Sequence, residues 1–189
     1  MRVTWMNFLT SKYRLLLVLI MTNINHSLAE ELDFNSKQFI DGWVIVNDSV
    51  MGGISQSKIS VDNNILSFSG KLSFANNGGF ASARYILIKP IAAKDKVSMT
   101  FKGDDRRYQL RLRTDTGTGA IAYKVEFNAP ANNWNSLIFK EEEFIPTYRG
   151  TTVDDAPPLK LADVKQISIL LADKQPQAFR LDISQIGFL

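Results

Sequence analysis

The sequence has 189 residues, no cysteine and a single histidine, with 22 Lys+Arg against 19 Asp+Glu. Disulfides are impossible, and because His26 falls in a segment that reads as a cleaved leader, the remaining chain excludes His- or Cys-ligated zinc and both Ser-His-Asp and Cys-His catalysis. Arg2, Lys12 and Arg14 belong to the same leader, so the formal charge of +3 falls to near zero without it, and a general nucleic-acid or anionic-membrane surface has no support.

The leader comes first along the chain. "MRVTWMNFLTSKYR" is basic and carries no acid, "LLLVLIM" (Leu15 to Met21) is a short apolar run, and "TNINHSLA" places Ser27 and Ala29 as small residues before Glu30. That order is a secretory signal peptide, and the apolar run is far below the roughly 20 residues that cross a bilayer. We therefore expect residues 1–29 to be removed after Ala29 and the product to be periplasmic or secreted, not membrane-spanning. With no cysteine it cannot be a lipid-anchored lipoprotein. Residues 30–38 read as a short polar lead-in and 39–189 as one domain, with no internal repeat. A chain of this length buries about 70% of its unfolded surface and needs no disulfides.

From Phe39 onward a two-residue period dominates. Strands are expected at Trp43–Val46, Ser57–Val61, Ile65–Ser69 and Ala81–Ile88. "KVSMTFK" then places Val97, Met99 and Phe101 on one face, and "YQLRLRT" sets Tyr108, Leu110 and Leu112 against Gln109, Arg111 and Arg113. "IAYKVEF" alternates Ile121, Tyr123, Val125 and Phe127 with Ala122, Lys124 and Glu126. Further strands fall at Trp134–Phe139 and Ile167–Ala172 and in "FRLDISQ", where Phe179, Leu181 and Ile183 share a face. Turn residues separate them: "DNN" at 62–64, "NNGG" at 76–79, "GDD" at 103–105 and "TDTGTG" at 114–119. Many short strands at even spacing make an all-β protein, a β-sandwich or jelly roll. Helix is scarce, with single turns at "EEEF" (Glu141 to Phe144) and "LADV" (Leu161 to Val164). Residues Phe144 to Val164 carry three prolines and no strand pattern, a loop of a length that is often functional.

Four stretches hold the candidate site residues. In "NDSVMGGISQS", Gly52 and Gly53 permit positive φ or close backbone approach, and Asn47 and Asp48 can fold back onto nearby N–H groups. This is either a tight strand connection or a loop whose backbone and Asp48 carboxylate face a ligand. "NNGGFAS" repeats the theme with Asn77, Gly78, Gly79, Phe80 and Ser82, and is equally readable as a hairpin closure. In "GDDRRYQLRLRTD", Arg107, Arg111 and Arg113 share a face with Gln109, as a solvated sheet surface or as guanidinium groups set to pair with carboxylates or phosphates. Asp104, Asp105 and Asp115 offer local partners that would make the cluster structural. "PTYRG" adds Tyr148 and Arg149. We expect "NDSVMGG", "NNGGFAS" and "PTYRG" to meet in space, with Arg149 pairing with Asp48 or a nearby carbonyl.

Taken in order, "W…NDSVMGGISQS", "FSGKLSFANNGGFAS", "GDDRRYQLRLRTD", "YKVEF", "FIPTYRG" and "ISILLADKQPQAFRLDISQI" resemble the complex I intermediate-associated protein family from about Phe39 to Phe188. The resemblance implies a galactose-binding-like β jelly roll and a non-enzymatic role, since mitochondrial relatives are assembly factors that hold a membrane-arm intermediate of respiratory complex I. The positions matching the family pattern are Trp43, Asn47, Asp48, Gly52, Gly53, Ser55, Asn77, Gly78, Gly79, Phe80 and Ser82. Asp104, Arg106 or Arg107, Tyr108, Arg149 and Gly150 complete them. The leader directs this chain away from the side on which those factors work, so another partner stays open. Two readings are carried forward: an exported module that binds a protein partner or assembly intermediate, and a carbohydrate-binding module using Trp43, Phe80, Trp134 or Tyr148 with Asn, Asp and Arg donors. A carboxylate- or Tyr-based enzyme is the third, and it requires two acids converging in one cleft. No cofactor and no metal is expected.

Overall fold

The computed structural model describes residues 30–117 and 121–189. The expected leader and the end of the 114–119 turn lie outside the described residues. In chain order the elements are β1 (Glu30–Glu31), α1 (Lys37–Asp41), β2 (Trp43–Ile45), β3 (Gln56–Asp62), β4 (Ile65–Lys71), β5 (Ala81–Ile86) and β6 (Lys96–Lys102). There follow β7 (Arg106–Arg113), β8 (Ala122–Ala129), β9 (Asn135–Lys140), β10 (Ile145–Tyr148), β11 (Thr151–Thr152), β12 (Gln166–Leu171) and β13 (Ala178–Phe188).

Among the described residues the strands form two antiparallel sheets. One runs β3-β4-β13-β6-β9, with β1 paired to the far end of β13, and the other runs β11-β10-β8-β7-β12-β5-β2. The period-two alternation explains why they stack. Val97, Met99 and Phe101 of β6 are buried while Ser98 and Thr100 are half-exposed, and Tyr108, Leu110 and Leu112 of β7 are wholly buried. Facing rows from Leu66 and Phe68 on one sheet and Ile167 and Ile169 on the other close a single core, the arrangement that two half-apolar sheets adopt to leave water. This is the all-β sandwich that the alternation requires.

Three expectations change. Phe144 to Val164 is not strandless, because β10 pairs with β8 and β11 within it. Pro146 hid β10. Its carbonyl accepts from Val153 N–H at 3.0 Å, so its missing N–H falls on the side of the two-residue edge strand, where little pairing is lost. The polar lead-in is part of the fold, with Glu30 and Glu31 pairing with Phe188 and Gly187, and Phe34 stacked on Phe39 at 4.5 Å in the core. Residues 37–41 form a short helix instead of open chain, started by Ser36, whose Oγ accepts from Phe39 N–H at 3.1 Å. The single turns at Glu141–Glu143 and Leu161–Asp163 form as 3-10 turns.

Candidate functional site

Asp48 ties two of the glycine-rich loops together. Its carboxylate accepts from Ser55 N–H at 2.9 Å and Ser55 Oγ at 2.5 Å, and from Gly79 N–H at 2.6 Å and Phe80 N–H at 3.3 Å. Burial pushes its pKa up, but the donors from Ser55, Gly79 and Phe80 outweigh that and hold it below the usual carboxylate value. The glycines are there for this packing. A Cβ on Gly53 would collide with the Asp48 carboxyl, and one on Gly78 would lie 2.6 Å from Asp48 Oδ2. Gly52 is in the left-handed region at φ +90°, which lets the chain turn back after Met51. Asn47 completes the brace, its Oδ1 accepting from Ser57 Oγ at 2.7 Å and Ser82 N–H at 3.4 Å.

The expected pairing of Arg149 with Asp48 is therefore corrected. Asp48 is 0% exposed and satisfied by four donors, while Arg149 lies over the ring of its neighbour Tyr148, 5.4 Å from the centroid. Asn47, Asp48, Gly53 and Ser55 are buried in the brace, and Asn77 is exposed at its rim. Two further candidates are on the core side. Tyr108 is fully buried, its hydroxyl donating to the Asp104 carboxylate at 3.0 and 3.1 Å, and burial with the adjacent Asp104 charge pushes its pKa far up. Trp43 packs edge-on to Phe39 at 5.7 Å and against Tyr85 at 5.5 Å. Of the two arginines that could match the family pattern, Arg107 is exposed and Arg106 is a buried staple. It pairs with both oxygens of Asp173 at 2.8 and 2.6 Å and donates to the carbonyls of Gln175, Gln177 and Ala178.

What the three loops enclose is a cleft of about 510 Å³ over the outer face of the seven-stranded sheet, a size typical of small-ligand sites. Met51 of "NDSVMGG", Phe80 of "NNGGFAS" and Tyr148, Arg149 and Gly150 of "PTYRG" all line it, so the three loops do meet. Its floor carries Arg84 of β5 and Arg111 and Arg113 of β7, with Leu170 and Ala172 between and Thr147 at the side. The register explains the cluster. Ser168 of β12 faces Arg84 on one side and Arg111 on the other, which sets those two arginines on the same face about 10 Å apart at Cα. Arg113 follows Arg111 on that face by the two-residue period.

The electrostatics are one-sided. Burial pulls the Arg111 pKa down, and the nearby Arg113 and Arg84 charges lower it further, to about 10, with Glu126 only partly opposing. Arg84 is lowered by burial and then by Arg113, and Arg113 by burial with some relief from Asp115. Arg111 Nε donates to Gln109 Oε1 at 2.8 Å. Among the described residues neither Arg84 nor Arg111 forms an ion pair with a carboxylate, and no group of three His, Cys, Asp or Glu residues is placed to hold a metal. The expected aromatics divide: Phe80 and Tyr148 line the cleft, whereas Trp134 sits by the other sheet with Lys102 Nζ 5.3 Å from its ring centre. Sequence reasoning missed Arg84, Met51, Thr147 and Leu170. The alternation in "ASARYI" puts Arg84 on the face opposite Tyr85, but only the insertion of β12 between β5 and β7 brings it beside Arg111.

Among solved structures the fold is similar to the family 11 carbohydrate-binding module of a cellulosomal cellulase of Clostridium thermocellum. The TM-score is 0.62 at 15% identity, over 85% of this chain and 94% of that one. The same module in complex with a β-1,3-1,4-mixed-linked tetrasaccharide matches with TM-score 0.61 at 15% identity, over 85% and 95% of the two chains. An agarase matches with TM-score 0.57 at 10% identity, over 83% of this chain but 24% of its own length. These likenesses establish the sandwich fold. Among curated proteins no sequence match is found. Residues 32–183 match the model of Complex I intermediate-associated protein 30, nearly the whole described domain, and the chain belongs to that family, CIA30.

Proposed function

We propose that the chain is an exported, non-catalytic binding module that holds an extended saccharide in the cleft on the outer face of the seven-stranded sheet. The observation that carries this reading is the lining of the cleft. Phe80 and Tyr148 offer flat apolar surfaces, the arginines and Thr147 offer donors, and the floor is a rigid sheet. Sites of that kind bind through apolar stacking and orient through a few polar groups. The cleft lining includes no carboxylate, which favours holding over hydrolysis, since glycoside cleavage needs two facing acids. The match to a module solved with a tetrasaccharide adds support at the level of the fold. Export rests on the leader-like residues 1–29.

A protein partner is the second reading, and one observation favours it. Met51 lines the cleft, and it and its chain neighbours Val50 and Ile54 are each exposed by more than half, apolar surface of the sort found where proteins dock. The family name points the same way. A glycan array probed with the purified protein separates the two. The saccharide reading expects hits that Tyr148→Ala removes. An array without hits, together with a protein captured from the cell envelope and released by Met51→Asp, overturns it.

A further inference from the structure

The charge of the cleft is local. Outside the leader, basic and acidic residues balance, yet the cleft gathers Arg84, Arg111, Arg113 and Arg149 and no acid. Arg106 shows how this fold treats an arginine that only braces it: a carboxylate takes two of its nitrogens, and three carbonyls complete its shell. Arg84 and Arg111 are treated otherwise. Both are half-buried, and neither has a carboxylate partner among the described residues. Arg111 is held from one side by Gln109, and the Arg84 guanidinium makes no hydrogen bond there. Burial depresses both pKa values, the Arg113 charge lowers each further, and Arg84 adds to the lowering at Arg111. Half-burying like charges side by side costs stability, and an incoming anion with paired oxygens offsets that cost through charge-assisted bonds.

We propose that the cleft takes an acidic saccharide, one bearing carboxylate or sulfate-ester groups, with Arg84 and Arg111 gripping the anionic group and Phe80 and Tyr148 flanking the sugar rings. This rests on the saccharide reading and narrows it from sugars in general to oxyanion-bearing ones. Carboxylate and sulfate present the same fork of oxygens to a guanidinium, so the probes must tell them apart.

Isothermal titration of the purified protein with tetragalacturonic acid, a sulfated carrageenan tetrasaccharide and neutral cellotetraose is the test, run at low and at physiological ionic strength. At least one acidic probe is expected to bind about tenfold or more tighter than cellotetraose, and the preference should shrink as salt rises. Which acidic probe binds identifies the oxyanion. Arg84→Gln and Arg111→Gln should each weaken the acidic probe about tenfold while leaving the melting temperature unchanged or higher, because a repulsion is relieved. Cellotetraose binding as tightly as both acidic probes overturns the inference and leaves the saccharide reading standing. Binding of none of the three overturns both. Variants that melt early yet keep their affinity for the acidic probe would show the arginines to be structural and also overturn it. If a variant fails to fold, the wild-type preference and its salt dependence decide.

Discussion

Asp48 joins two loops through one carboxylate, so its removal is felt as lost stability before it is felt as lost binding. Asp48→Ala leaves the N–H groups of Ser55, Gly79 and Phe80 without their acceptor, and is expected to cost about 3 kcal/mol, read from the urea midpoint. The pKa of Asp48 is lowered in the folded state, so its contribution is complete above the ordinary value near 3.8 and is lost as pH falls through the lowered folded value. The gap between wild type and variant should therefore close in acid; a gap constant down to the acid limit would contradict the assignment. Arg106 is the second residue of this kind. Arg106→Ala strands Asp173, buried to 4% exposure at its side chain, and should cost about 3–5 kcal/mol by thermal or urea unfolding. Asp48 was visible as a polar position that matches the family pattern, and Arg106 as one of two arginines that could. Their structural role was not, because Asp48 meets Gly79 across 31 positions and Arg106 meets Asp173 across 67, and no local period encodes such distances.

At the scale of elements, the outer strands place the cleft wall. The β10–β11 hairpin turns at Arg149 and Gly150, both at positive φ, and carries Tyr148 to the cleft. Gly150 has open space around its Cα but sits at φ +90°, so Gly150→Ala should cost about 1–2 kcal/mol from backbone strain alone. A urea titration that shows no change would mean that the turn relaxes without loss. The hairpin was unreadable in advance because Pro146 and the two-residue β11 leave neither the alternation nor the apolar run that marked the longer strands. By contrast β6, β7, β8 and β13 were legible as soon as their apolar residues were counted two by two, since each buries one face against a single core. The arginines of β7 were legible as a shared face for the same reason. What that face is for depended on its neighbours, and strand order is a long-range property: β12 (Gln166–Leu171) comes from far down the chain to lie between β5 and β7.

For the molecule as a whole, the sandwich supplies a stiff sheet and the loops supply the edges of a groove. Such a division suits a protein that holds a ligand and changes little in doing so. Export is expected to yield a protein that begins at Glu30 and is recovered from the periplasm or the medium. N-terminal sequencing of the protein from its native cell checks this, and a chain that retains Met1 in the cytosol contradicts it. Glu30 pairs with Phe188 at its backbone, so cleavage there would leave the fold whole. The central claim, that the outer face of the seven-stranded sheet is where the ligand sits, is tested most directly by mapping amide chemical shifts during a titration with tetragalacturonic acid, the sulfated tetrasaccharide and cellotetraose in turn. The account predicts that the perturbed amides cluster at Phe80, Arg84, Arg111, Arg113 and Tyr148 to Gly150. Perturbations gathered on β3, β4 and β9 of the other sheet, or none with any of the three, would contradict it.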